Sequence, residues 1–160
     1  MSRIPIAVQL YSVREDAAKD TPGVLAAIAK MGYEGVEFAG YYGHDAATLR
    51  KILDDNGLKC AGAHVGIDTL LGDELEKSIE LHKTLGNIYL IVPGLAEKWR
   101  DSTEAWKKTA ETMNEIAAKL KPHGMFTGYH NHAIEFKPLT EGGELPWDTF
   151  FGNTDKDVIM

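Results

Sequence analysis

Ile116-Ala117-Ala118-Lys119-Leu120-Lys121-Pro122-His123-Gly124-Met125-Phe126-Thr127-Gly128-Tyr129-His130-Asn131-His132 carries the chain out of one kind of periodicity and into another. Upstream, Trp106, Ala110, Met113, Ile116, Ala117 and Leu120 recur at helical spacing, which predicts a helix from about Ser102 to Lys121. It stops before Pro122, which lacks an N–H to continue the ladder. Gly124 suits the left-handed position that closes a helix, and residues 125 to 130 then read as a strand. On a strand alternate side chains share a face, so His130 and His132 point one way above Phe126 and Gly128, and Asn131 points the other.

The same junction occurs three more times: Gly32 before residues 33–38, Gly57 before 58–65 and Gly86 before 87–92. Thr21-Pro22 reads as an N-cap with proline in the first turn, ahead of Val24, Leu25, Ile28 and Met31. Asp45 is a candidate N-cap for a helix carrying Leu49, Ile52 and Leu53. Asp73 with Glu76 resembles a capping box before Leu75, Ile79, His82 and Leu85, the histidine being expected at the helix surface. Trp147, Phe150 and Phe151 follow Pro146 at helical spacing and are expected to dock another helix on the sheet. Glu141-Gly142-Gly143-Glu144 reads as a turn.

With a first strand at residues 4–10, strands and helices alternate strictly, the pattern of a parallel sheet with helical crossovers. A doubly wound sheet usually carries a glycine-rich loop after its first strand, but here that turn is Gln9-Leu10-Tyr11-Ser12-Val13-Arg14. A (β/α)8 TIM-barrel type fits better. Barrel active sites lie at strand C-termini, and the polar residues gather there: Gln9 and Tyr11, Glu37, His64, His130 and His132. Eight units need roughly 250 residues, so the 160 present are expected to form a single partial barrel domain, 1–160, with about the first five βα units. Asp157-Val158-Ile159-Met160 looks like the opening of a sixth strand. A half-barrel exposes its interior and its sheet edges, so self-association, a homo-oligomer or a partner chain is expected.

Composition bounds the partners. The chain is 44% hydrophobic and 26% charged with a formal charge of -7, ordinary globular usage without a basic cluster. No nucleic-acid groove is expected, since that needs a cationic face. Cys60 is the single cysteine and is read as a small strand residue. Met1-Ser2-Arg3 leads into a run too short for a leader, and no apolar run approaches a membrane span, so no membrane and a cytoplasmic setting are expected.

The stretches Gln9-Leu10-Tyr11-Ser12, Gly32-Tyr33-Glu34-Gly35-Val36-Glu37-Phe38, Ala63-His64 and Tyr129-His130-Asn131-His132-Ala133-Ile134-Glu135-Phe136 fall in order on successive strand ends. In these the chain resembles the N-terminal part of the sugar phosphate isomerase/epimerase family, with its xylose isomerase-like TIM barrel. That family includes sugar isomerases and keto-sugar epimerases, inosose dehydratases, enzymes acting on 3-keto-glycosides and metal-dependent apurinic endonucleases. The resemblance implies a divalent metal ion (Mn, Zn, Co or Mg) that stabilises an enediolate while flanking bases move a proton. Many relatives place a glutamate where this chain has His130, the implied metal ligand; imidazole shifts the preference toward Zn, Mn, Co or Fe and away from Mg. His64 and Glu135 are the implied catalytic residues, and Gln9, Tyr11, Glu37 and His132 the implied substrate-binding residues. Tyr41, Tyr42 and Trp99 lie in or near βα loops, where flat rings suit sugar faces as well as loop packing.

Three functions follow from this reading. The first is a metal-dependent sugar isomerase or epimerase acting on a small-molecule sugar or sugar derivative, expected to be inactive as these 160 residues alone. The second is a lyase or dehydratase acting on an inosose or 3-keto-glycoside through the same enolate. The third is an incomplete, non-catalytic half-barrel needing a partner chain. The endonuclease branch fits poorly, because its histidine run on strand four is replaced by Ile91-Val92-Pro93-Gly94.

Overall fold

The computed structural model describes residues 3–160; Met1 and Ser2, where the leader was judged absent, lie outside the described residues. Strand β1 (Ala7–Gln9) passes through a 3-10 turn (Leu10–Val13) and a short helix α1 (Arg14–Ala17) into α2 (Thr21–Lys30). Then follow β2 (Gly35–Ala39), α3 (Ala46–Asp55), β3 (Lys59–His64), α4 (Glu74–Leu85), β4 (Tyr89–Val92), α5 (Thr103–Leu120), β5 (Phe126–Tyr129), α6 (Pro146–Gly152) and β6 (Val158–Ile159). The strands form one sheet in the order β1-β2-β3-β4-β5-β6. Strand β1 runs parallel to β2, β2 to β3, and β5 to β6. This is the expected α/β alternation of a partial TIM-barrel type fold, with the sixth strand present.

The junction glycines behave as the chain pattern requires. Gly57 and Gly124 end their helices at φ 64° and 67°, a conformation in which a Cβ would meet the following carbonyl. Asp45 and Ser102 cap α3 and α5 by accepting from Thr48 N at 2.7 Å and Ala105 N at 3.1 Å. At α2 the cap is Asp20, not Thr21: its Oδ1 accepts from Gly23 N at 2.9 Å, while the buried Thr21 hydroxyl donates to Ala17 O at 2.7 Å. The first strand is shorter than residues 4–10 because the Gln9 side chain accepts from Tyr11 N and draws the chain into the 3-10 turn.

Packing divides the described residues into two compact units, one running up to His64 with Glu76–Tyr89, the other from Val65–Leu75 with Leu90–Met160. In the first, Val36 and Phe38 of β2 are fully buried together with Leu25, Leu49 and Leu53 of the helices. Each such side chain contributes roughly 1.5–3 kcal/mol of burial. His82 belongs to this interior at 1% exposure, against the expectation of a surface residue. The cause is polar pairing: Asn87 Nδ2 donates to its Nδ1 at 2.9 Å, and its Nε2 lies 3.3 Å from the Tyr41 hydroxyl. In the second unit, Trp106, Met113 and Ile116 of α5 are buried. Helix α6 docks through Phe150, whose ring lies 5.8 Å from Trp106 and 5.2 Å from Tyr129. Among the described residues no helix is long and apolar enough to cross a membrane.

Candidate active site

In the first unit the chemistry gathers where β1, β2 and β3 end. Strand β2 shifts register against β3 between Val36 and Glu37, so that Glu37 lies opposite Gly62 and Ala39 opposite His64. A Cβ at position 62 would stand 3.3 Å from Glu37 Oε1, so glycine gives the carboxylate room to lie across β3. That brings Glu37 Oε1 to 3.6 Å from His64 Nε2, with the imidazole only 13% exposed. A carboxylate beside an imidazole orients the ring, the arrangement a proton-transfer pair needs.

Gln9 sits at the end of β1 with its Oε1 held by Tyr11 N, which fixes the amide orientation and leaves Nε2 buried without a partner among the described residues. A buried donor lacking an acceptor is a place for a ligand hydroxyl or carbonyl. Tyr11 is 59% exposed, and Arg14, which sequence reasoning passed over, lays its guanidinium 4.3 Å above that ring while donating to Tyr11 O at 2.8 Å. The three-residue spacing across a 3-10 turn was the available signal.

The loop after β2 is anchored by its tyrosines. Tyr42 takes a left-handed φ of 52° and its hydroxyl donates toward Leu10 O at 3.5 Å. Tyr41 reaches His82, and burial raises its hydroxyl to about 12, assisted by Cys60. Asn87 is fixed by its own bonds to Tyr89 N and O, so its amide N–H points at His82 Nδ1. His82 is therefore neutral, carries its proton on Nε2 and donates it to Tyr41; burial lowers its pKa to about 4.

In the second unit β5 ends at Tyr129, one residue short of the expected strand, and His130 N donates to Val92 O at 3.0 Å. His130 and His132 both lie past the strand end and are exposed. Their rings stand 4.9 Å apart at 80°. Glu135, expected to be catalytic, lies beneath this loop at 1% exposure. Its Oε1 accepts from the Tyr129 hydroxyl at 2.5 Å and its Oε2 from His132 N at 2.8 Å. Burial and then the bond to Glu135 push the Tyr129 hydroxyl well above its ordinary value. Trp99 lies in the loop region after β4, its carbonyl accepting from the Thr109 hydroxyl at 2.6 Å.

Two neighbouring imidazoles are fewer than the three protein donors that a bound catalytic ion commonly requires. Among the described residues no group of three or more His, Cys, Asp or Glu side chains is placed to hold a metal. These donors do not by themselves complete a site.

A parallel sheet with alternating helices and polar groups at its strand C-termini defines an α/β protein of the TIM-barrel class. Residues 25–145 match the model of the xylose isomerase-like TIM barrel, and the chain belongs to that family. An inosose dehydratase of Erwinia tasmaniensis is 30% identical over 156 residues, covering 86% of this chain and 51% of that protein. A sugar phosphate isomerase/epimerase from Parabacteroides distasonis superposes with a TM-score of 0.81 at 24% identity, over 99% of this chain and 65% of its own. A D-allulose 3-epimerase from Methylomonas sp. does so at 0.62 and 15% identity, over 99% and 62%. The chain thus spans about half the length of the curated relative it matches.

Proposed function

We propose that this chain supplies part of a barrel that removes a proton beside a carbonyl of a sugar or sugar derivative, as an isomerase or epimerase working through an enediolate. The observation that carries the reading is the Glu37–His64 pair at a strand C-terminus, in a chain of a family with sugar-processing relatives. His64 is the proposed proton carrier, Glu37 its partner and a hydroxyl contact, and Gln9 Nε2 the donor to a substrate oxygen. Tyr11 and His132 offer further substrate contacts, and His130 is the imidazole this chain would contribute to a divalent metal. Residues 1–160 are proposed to form one partial barrel domain in the cytoplasm, where a single reduced thiol is at home. The dehydratase reading stands second, favoured by the 30% identity to an inosose dehydratase.

The test is solvent deuterium exchange in the natural gene product that carries these residues, with Mn2+ and a panel of ketohexoses and inososes followed by NMR. Deuterium entering the carbon next to the carbonyl, with a new epimer, supports the first reading; loss of water supports the second. His64→Asn is expected to lower exchange about 100-fold, the size of a lost acid–base group. Exchange unchanged by that variant removes His64 from the proposal. The 160 residues alone are expected to show no turnover. They should also self-associate, because Ile6, Ile88, Phe126 and Met160 are 53%, 42%, 41% and 75% exposed. A monomer by light scattering at micromolar concentration would contradict this.

A further inference from the structure

We infer that Glu135 is a positioning residue, whose two carboxylate oxygens clasp the loop after β5 and so set where the His130 and His132 rings stand. The inference rests on the proposed reading for its effect on turnover, and on geometry alone for its effect on the loop.

The clasp begins in the core. Tyr129 is 2% exposed, and its ring is held edge-on by Trp106 at 6.0 Å and against Phe150 at 5.2 Å. Its hydroxyl is thereby a fixed point, and it donates to Glu135 Oε1 at 2.5 Å. The other oxygen takes the main-chain N–H of His132 at 2.8 Å. Residues 129 to 135 thus close into a ring through one buried side chain, while His130 N is tied separately to Val92 O. The two imidazoles project from a backbone held at both ends, which accounts for a defined ring contact of 4.9 Å between two exposed side chains. A carboxylate with both oxygens engaged and 1% exposure has no face left for a substrate. Its chemistry is geometric: it fixes groups that act, and a displacement of about 1 Å at such groups can lower turnover about 100-fold.

Glutamine separates this role from that of a base. Its amide preserves both contacts, with Oε1 accepting from His132 N–H and Nε2 donating to a Tyr129 hydroxyl that rotates to accept. Leucine fills similar space and removes both. In the natural gene product, Glu135→Leu is expected to abolish the nuclear Overhauser contact between the His130 and His132 rings and to speed exchange of the His132 amide at least tenfold. With whichever substrate the deuterium panel identifies, it should lower kcat about 100-fold with KM changed less than threefold. Glu135→Gln should restore the ring contact and return kcat to within tenfold of wild type. A glutamine variant as inactive as leucine would overturn positioning in favour of proton transfer by Glu135 itself. A leucine variant with normal kcat, or with the ring contact intact, would leave Glu135 merely structural and overturn the inference. Should Glu135→Leu fail to fold, Tyr129→Phe serves, since it removes the anchor and should weaken the same ring contact; an unchanged contact there is equally fatal. If no panel substrate turns over, the proposed reaction fails while the ring contact and amide exchange still decide the clasp.

Discussion

Replacing Trp106 with alanine is expected to lower the unfolding free energy by about 3–5 kcal/mol, measured by urea denaturation. The indole is 1% exposed and meets Tyr129 of β5 and Phe150 of α6 edge-on at 6.0 and 5.8 Å. It joins three elements of the second unit, so truncation leaves a cavity that no single neighbour can fill. Its Nε1–H is buried without a partner among the described residues. Trp106→Phe should therefore cost less than its loss of area implies, because it also removes an unsatisfied donor. A Trp106→Ala protein within about 1 kcal/mol of wild type would mean that the three elements pack without it.

Acid should weaken the first unit through His82. Its folded-state pKa is depressed to about 4 by burial, against an ordinary value of 6.5. Between those values the unfolded chain binds a proton that the folded chain does not. The contribution is fully present above pH 6.5 and is lost progressively as the pH falls from about 6.5 to about 4, below which both states carry the proton. At 1.36 kcal/mol per unit the loss is about 3 kcal/mol. His82→Gln carries no titrating ring, and it should be less stable than wild type at pH 7 and show a shallower decline over that interval. Parallel pH profiles for the two proteins would exclude His82 as the source. Because the added proton goes to Nδ1, where Asn87 Nδ2 donates in the neutral state, the turn ahead of β4 should loosen over the same interval, visible as faster amide exchange at residues 87–89.

The βα rhythm was legible because each junction is local: a helix stripe, a glycine closing the helix and a β-prone run all lie within one window of sequence. The limits of β1 and β5 were less so. Gln9 ends β1 with its own side chain, and the chain leaves β5 at Tyr129, choices that alternation alone does not encode. His82 shows the deeper reason. Its burial depends on Tyr41, forty-one positions earlier, and on Asn87 turned by the backbone of Tyr89, neither of which a helical pattern reveals. The rim residues could be named from their places at strand ends, whereas Glu135 received a chemical role because a carboxylate near two histidines reads alike whether it faces solvent or is folded beneath the loop. Only the bonds to Tyr129 and His132 separate the two.

Cys60 lies in β3 with its thiol pushed up to about 12, first by burial and then by Glu37 against the opposing influences of Gly62 and Arg50. Alkylating reagents attack thiolate, and in the folded protein thiolate is far scarcer than on an unfolded chain. As the single sulfhydryl of the sequence it is a built-in clock. The rate at which iodoacetamide consumes it, divided by the rate for a short unstructured peptide, sets an upper bound on the fraction of time this strand is open to solvent.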